Sequence, residues 1–202
     1  MPAVNVLIKP ASSACNMYCQ YCFYRDVADH RRQACQGMVS LETMERIVAA
    51  AMDYAEGTCA FGFQGGEPTL AGLDFFEYFV AYVAEKNPGV SIQYALQTNG
   101  LLVDEQWAAC FKKHSFLIGL SLDGERGMHD YARPDSRGQG SYDRVMKAAR
   151  LLEKVGVDYN ILSVITKQMA KRPVRAFQFY KRHRFSFIQL IPCLKPSDGT
   201  AG

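Results

Sequence analysis

Three cysteines, Cys15, Cys19 and Cys22, are spaced C-x3-C-x2-C within the stretch SSACNMYCQYCFYRD. Thiolates this close together hold zinc or an iron–sulfur cluster. Structural zinc takes four protein ligands, commonly from two knuckles far apart in sequence. Here there is one knuckle. His30 is the nearest further donor, but it stands alone in an arginine-rich loop, where a histidine is normally just solvated. A cubane cluster held by three thiolates leaves one iron uncapped and able to bind a small molecule. The missing fourth ligand is therefore expected to be a substrate or cofactor, with a closed zinc site as the lesser alternative.

Such a loop needs a rigid frame. Runs at 4–8, 59–64, 91–97, 116–122, 158–166 and 185–192 have strand character and alternate with helical patterns. The helices are expected over 41–56, 73–85, 105–113, 141–156 and 173–183. Ser40 suits an N-cap, Gly156 a C-cap and Pro173 a first helical position. A β(αβ)5 order implies parallel strands joined by right-handed crossovers. A full eight-unit barrel takes roughly 250 residues. The 202 residues therefore predict one α/β domain, either an open (β/α)6 partial TIM-like barrel or a doubly wound sheet.

In both architectures chemistry gathers at the carboxyl ends of the strands, and those ends are polar here. The first strand runs into the cysteine loop. Later ones end in Gln64-Gly65-Gly66-Glu67, Gln97-Thr98-Asn99-Gly100 and Ser121-Leu122-Asp123-Gly124.

Bulk properties narrow the class. A net charge of +3 is too small to argue for nucleic acid. The basic stretch 167–184 reads as a solvated helix face, since no stacking pattern accompanies it. No apolar run is long enough to span a bilayer, and the N-terminus lacks the layout of a signal peptide. A cytoplasmic location is the expectation. There, cysteines seldom form a disulfide framework, so Cys35, Cys59, Cys110 and Cys193 read as structural.

C-x3-C-x-aromatic-C after a first strand, with FQGGEPTL after the second, resembles the radical S-adenosylmethionine (SAM) superfamily. The set LIKPASSACNMYCQYCFYRD, FGFQGGEPTLAG, LQTNG and GLSLDG is similar to anaerobic sulfatase-maturating enzymes, over essentially the whole chain. The resemblance implies one 4Fe-4S cluster on Cys15, Cys19 and Cys22, with SAM on its open iron. It implies reductive cleavage of SAM to a 5′-deoxyadenosyl radical and oxidation of a sulfatase Cys or Ser to formylglycine. Gly65 and Gly66 would let the backbone approach SAM's ammonium, and Glu67 would accept hydrogen bonds from it. Ser121 and Arg133 would reach the ribose and carboxylate. Tyr21 would lie by the adenine, with Leu194 over its other side. Tyr24 and Gln64 match positions near the substrate peptide. Implied partners are a sulfatase polypeptide and a one-electron reductant of the flavodoxin or ferredoxin type, with no nucleic acid or membrane.

The family continues into a cysteine-rich C-terminal domain of the SPASM type, with auxiliary clusters and a late Asp that takes the substrate's proton. That part has no counterpart in these residues, so no catalytic base is assigned. Residues 1–202 are expected to be the radical-SAM core alone, with the last strand exposed, able to cleave SAM but not to complete peptide oxidation. Two alternatives stand beside the main reading. One is another peptide-modifying enzyme of this superfamily, making thioether or carbon–carbon crosslinks. The other is a non-enzymatic fragment that holds a metal or cluster.

Overall fold

The computed structural model describes residues 3–194. Six strands form one sheet: β1 (Val4–Ile8), β2 (Thr58–Phe63), β3 (Ser91–Thr98), β4 (Phe116–Ser121), β5 (Tyr159–Ile165) and β6 (Ile188–Pro192). All neighbours pair in parallel, and the spatial order is β1-β2-β3-β4-β5-β6. That order decides between the two expected architectures. A doubly wound sheet reverses direction at a switch point and carries helices on both faces. A monotonic order keeps every right-handed crossover on one side, and the sheet curls into a half-barrel. Among the described residues β1 pairs only with β2 and β6 only with β5, so the barrel is open.

The long helices are α2 (Leu41–Tyr54), α3 (Leu73–Lys86), α4 (Glu105–Lys113), α6 (Tyr142–Val155) and α8 (Pro173–Arg182). Their ends follow local chemistry. Ser40 Oγ accepts from Thr43 N at 3.1 Å, and Gly156 closes α6 in the left-handed region at φ +74°. Three short helices were not expected: α1 (Phe23–Asp29), α5 (Arg126–Ala132) and α7 (Lys167–Ala170). Each is too short to show a periodic apolar face. The last strand is shorter than the sequence suggests, because Phe185 leaves the sheet and turns back toward Tyr159 and Tyr180.

Strand alternation sorts side chains by size. On β2, Cys59, Phe61 and Phe63 are buried under the helices, while Ala60 and Gly62 face the concave side. Phe63 packs edge-on against Phe76 and Phe79, with ring centroids 4.9 Å apart in both pairs. These rings, with Phe116, Trp107 and Phe111, build the core between sheet and helices. The concave face instead carries small or polar residues: Ala60, Gly62, Gln93 and Ala95, with Leu7 and Leu117 exposed among them. By the same alternation Gln64, Gln97 and Ser121 come to the concave side at its carboxyl rim.

The remaining cysteines separate. Cys59 and Cys110 are buried, as a structural reading requires. Cys35 is exposed and Cys193 only half-buried, so that reading fails for both. Cys35 lies in a polar loop with no core to fill, and Cys193 follows the edge strand. The basic stretch is largely solvated, with Arg175 paired to Glu125 at 2.6 Å. No helix among the described residues is long and apolar enough to cross a membrane.

Candidate active site at the carboxyl rim

The cysteine loop, between β1 and α1, is tied by backbone hydrogen bonds to two other loops. Glu67 N donates to Ala14 O at 2.8 Å. On the other flank Tyr18 N donates to Pro134 O, Gln20 N to Ala132 O, and Ser136 N to Asn16 O, at 2.9 to 3.0 Å. Residues remote in sequence thus hold Cys15, Cys19 and Cys22 against the sheet rim. Cys22 also serves as N-cap of α1.

A pocket of about 280 Å³ opens there, and every residue to which the resemblance gave a role at the cluster, SAM or the peptide lines it. Cys15, Cys19, Cys22 and Tyr21 come from the cysteine loop, and Tyr24 from the start of α1. Gln64, Gly65, Gly66 and Glu67 follow β2, Ser121 ends β4, Arg133 follows α5, and Leu194 lies after β6. The wider hollow of about 610 Å³ lower on the concave face has no comparable set of polar groups.

Burial pushes the Cys15 thiol up to about 12, with Glu67 adding to the rise and the Met17 amide opposing it. Cys19 is likewise raised by burial, against the pull of Arg133. Both thiols are therefore protonated without a metal, and loading one releases protons. Among the described residues, the only three metal-type donors within 4.8 Å of one another are on Glu77, Cys110 and His114. The three loop thiols do not form such a group. His30 does not join them; its Nδ1 lies 2.7 Å from Asp26 O.

Two of these side chains are already engaged within the protein. The Glu67 carboxylate is turned inward and is 1% exposed. Oε1 accepts from Thr69 N, Thr69 Oγ1 and Thr98 Oγ1, and Oε2 accepts from Asn99 N. Burial pushes its pKa up while these donors pull it back. With its oxygens so engaged, Glu67 acts as the bolt between the second and third strand ends, while still lining the pocket. Arg133, expected to meet a carboxylate, is already paired with Asp123, Nε to Oδ2 at 2.8 Å. Its guanidinium carbon also lies 5.3 Å from the Tyr21 ring centroid, and the Tyr21 hydroxyl donates to the same Asp123 oxygen.

Asp123 is the residue sequence reasoning passed over. Besides Arg133 and Tyr21, it accepts from Val164 N at 2.9 Å. Its one visible signal was its place at the end of the fourth strand. Asn99 was also missed as a contact; its Nδ2 donates to Asn16 Oδ1 at 2.7 Å and lies 3.8 Å from Cys15 Sγ. Gln97 Nε2 donates to Ser121 Oγ at 3.1 Å, and only a glycine at position 119 leaves room for that amide. Tyr24 lies near Gln64, which pulls its hydroxyl's pKa down against the larger rise from burial, and under Lys9 Nζ, 4.7 Å from its ring centroid. Tyr21 and Leu194 also border a neighbouring cleft, where Leu194 is 62% exposed.

This arrangement has counterparts. The radical SAM superfamily model matches residues 10–178. A cysteine-type anaerobic sulfatase-maturating enzyme of Clostridium novyi is 43% identical over 197 residues, 97% of this chain and 53% of that protein. A serine-type enzyme of Klebsiella aerogenes is 35% identical over 198 residues, 98% of this chain and 48% of that protein. The solved structure of native anSMEcpe with bound AdoMet and Cp18Cys peptide superposes with a TM-score of 0.93 at 40% identity, covering 100% of this chain and 54% of that one. The chain spans about half the length of the curated relatives it matches.

Proposed function

The chain belongs to the radical SAM superfamily, and from that membership we propose that residues 1–202 are the radical-SAM core of an anaerobic sulfatase-maturating enzyme. Its reaction is the oxidation of a sulfatase Cys or Ser to formylglycine, with electrons delivered one at a time by a small redox protein. The observation that carries the proposal is the gathering of Cys15, Cys19, Cys22, the Gly65–Glu67 turn, Ser121 and Arg133 around one pocket. Similarity to both cysteine- and serine-type enzymes supports the sulfatase assignment.

When bound, a 4Fe-4S cluster and SAM together supply a hydrogen-abstracting 5′-deoxyadenosyl radical. The chain's contribution is position and exclusion of water. Cys15, Cys19 and Cys22 hold the cluster on a loop fixed from both flanks. Gly65 and Gly66, at φ +101° and +57°, bring bare backbone to the pocket wall, beside the Glu67 carboxylate, where an ammonium would be met. Arg133, neutralised by Asp123, presents a rigid cation rather than a free one. Ser121, held by Gln97, is a hydroxyl of fixed position for a ribose. Tyr21 and Leu194 flank the adenine. Tyr24 and Gln64, both on the pocket wall, meet the peptide.

The test is anaerobic loading with iron and sulfide, followed by reduction, SAM and a sulfatase peptide deuterated at Cβ of its Cys or Ser. The expected product is 5′-deoxyadenosine carrying deuterium. Abstraction precedes the loss of the second electron, so this readout does not need an electron acceptor. A loaded cluster that forms no 5′-deoxyadenosine would refute the cofactor assignment. Unlabelled 5′-deoxyadenosine would refute the sulfatase assignment. Replacing Cys15, Cys19 or Cys22 with Ala abolishes cluster loading.

A further inference from the structure

The α3–α4 pair carries a second group of metal-ligating side chains. Glu77 is on α3; Cys110 is in the last turn of α4, and His114 caps that helix four residues later. The i,i+4 spacing sets the thiol and imidazole on one helix face. A carboxylate oxygen, a thiol sulfur and a ring nitrogen, one from each residue, all lie within 4.8 Å of one another. The frame beneath them is rigid, with Phe76 of α3 packed edge-on against Trp107 of α4 at 5.4 Å between centroids. A second, independent observation points to a ligand. His114 Nε2 is the only buried side-chain nitrogen or oxygen among the described residues with no hydrogen-bond partner, and buried polar groups are rarely left so.

We propose that Glu77, Cys110 and His114 form a binding site for a zinc-class divalent ion, with water in the fourth position. Sulfur and nitrogen donors disfavour magnesium and calcium, which take oxygen, and one each of S, N and O suits tetrahedral zinc. Glu77 is exposed and offers the entry path, while Cys110 is buried. As the metal enters, the S–H bond of Cys110 breaks, a Zn–S bond forms and the proton leaves to solvent. Lys113 Nζ, 3.7 Å from Glu77 Oε2 and exposed, can swing away. His114 lies two residues before β4 begins, at the amino end of the sheet, opposite the pocket. That end of a β/α barrel serves stability. A bound ion would clamp α3 to α4 there, whatever reaction the far rim performs.

The test uses the cluster-loaded chain, held anaerobically and equilibrated with chelator-buffered Zn2+, then desalted and analysed for both metals. The expected result is one zinc per chain with the iron content unchanged, and a zinc-dependent rise in melting temperature. Cys110→Ser and His114→Gln each weaken zinc binding by at least the roughly 10- to 100-fold that disturbing a metal's supporting shell costs. Glu77→Gln, at an exposed position that tolerates change, also weakens it. Zinc retained equally by Glu77→Gln and His114→Gln, zinc gained only as iron is lost, or no zinc retained would each overturn the proposal.

Discussion

Arg133 donates through Nε to Asp123 Oδ2 at 2.8 Å, in an ion pair whose side chains are only 7% and 1% exposed. The pair joins the loop after α5 to the end of β4, and through Tyr21 it reaches the cysteine loop. Val164 N ties it to β5. Removing one partner strands a buried charge, which costs about 3–5 kcal/mol. Asp123→Ala and Arg133→Ala are each expected to lose stability on that scale in urea denaturation. The double variant Asp123→Leu/Arg133→Met is expected to lose much less than the sum, because no orphan charge remains.

Gly66 and Gly65 predict a contrast. A Cβ on Gly66 would fall on the Ala14 carbonyl oxygen, with Ser12 O at 3.0 Å. Those atoms are backbone of the segment that leads into Cys15, and Glu67 N is bonded to the same Ala14 carbonyl. A Cβ on Gly65 meets only the flexible Lys9 side chain, at 2.9 Å. Both sites have positive φ, so either substitution costs roughly 1–3 kcal/mol of backbone strain. Gly66→Ala is expected in addition to displace the cysteine loop and cut iron loading severely. Gly65→Ala should keep most of it. Iron and sulfide content after reconstitution, with melting temperature alongside, separates the two.

Much of the frame was legible because it is periodic. The alternation of CAFGF and the helical faces of 41–54 and 142–155 placed strands and helices almost to the residue. The three short helices were not legible, since a turn or two has no period to read. At the site, residue types at strand ends were enough to assemble the pocket. Side-chain direction was not. Nothing in QGGEPT says that Thr69, Thr98 and Asn99 will claim the Glu67 carboxylate, and nothing in SLDG says that Asp123 will meet an arginine ten residues on. Such pairings are decided by which loops the curled sheet brings together, a long-range fact that no local pattern carries.

His129 sets a pH limit on the fold. It is fully buried. Nδ1 accepts from Asp123 N at 3.2 Å, which leaves Nε2 to donate to Ser141 Oγ at 2.9 Å, and Ser141 Oγ donates on to Arg133 O at 2.7 Å. A second ring proton would face an N–H donor. Burial first, then the Arg133 charge, push its pKa down from 6.5 to about 4. Between those values the unfolded chain binds a proton that the folded chain refuses, so stability falls as pH falls. The contribution is complete above pH 6.5 and lost toward pH 4, a swing of roughly 3 kcal/mol. Urea denaturation of the cluster-free chain at pH 7.5 and pH 4 should show this loss in the parent and a smaller one in His129→Gln.

Cys35 is expected to be the most reactive thiol of the cluster-loaded chain. It is exposed, and its pKa is lowered chiefly by the Gly37 amide, which donates to Sγ at 3.4 Å, with Ser13 assisting. Thiolate fraction and access together set alkylation rate. Cys59 and Cys110 are buried and burial raises both, Cys110 to about 11. Cys193 is half-buried and also raised by burial. Iodoacetamide at neutral pH should therefore label Cys35 first, Cys193 more slowly, and Cys59 and Cys110 only on unfolding. The loop of Cys35 touches the cysteine loop through Ser13 Oγ, which donates to Ala34 O at 2.6 Å, and Ser12 Oγ, which accepts from Gln36 N at 3.0 Å. The thiol itself also lies by Ser12 and Ser13, and a serine hydroxyl in its place can keep those polar contacts. Cys35→Ser is expected to remove the fast label and leave iron loading unchanged. Peptide mapping by mass spectrometry reads the order of labelling, and a first label on Cys193 would show that the Gly37 amide does not activate Cys35.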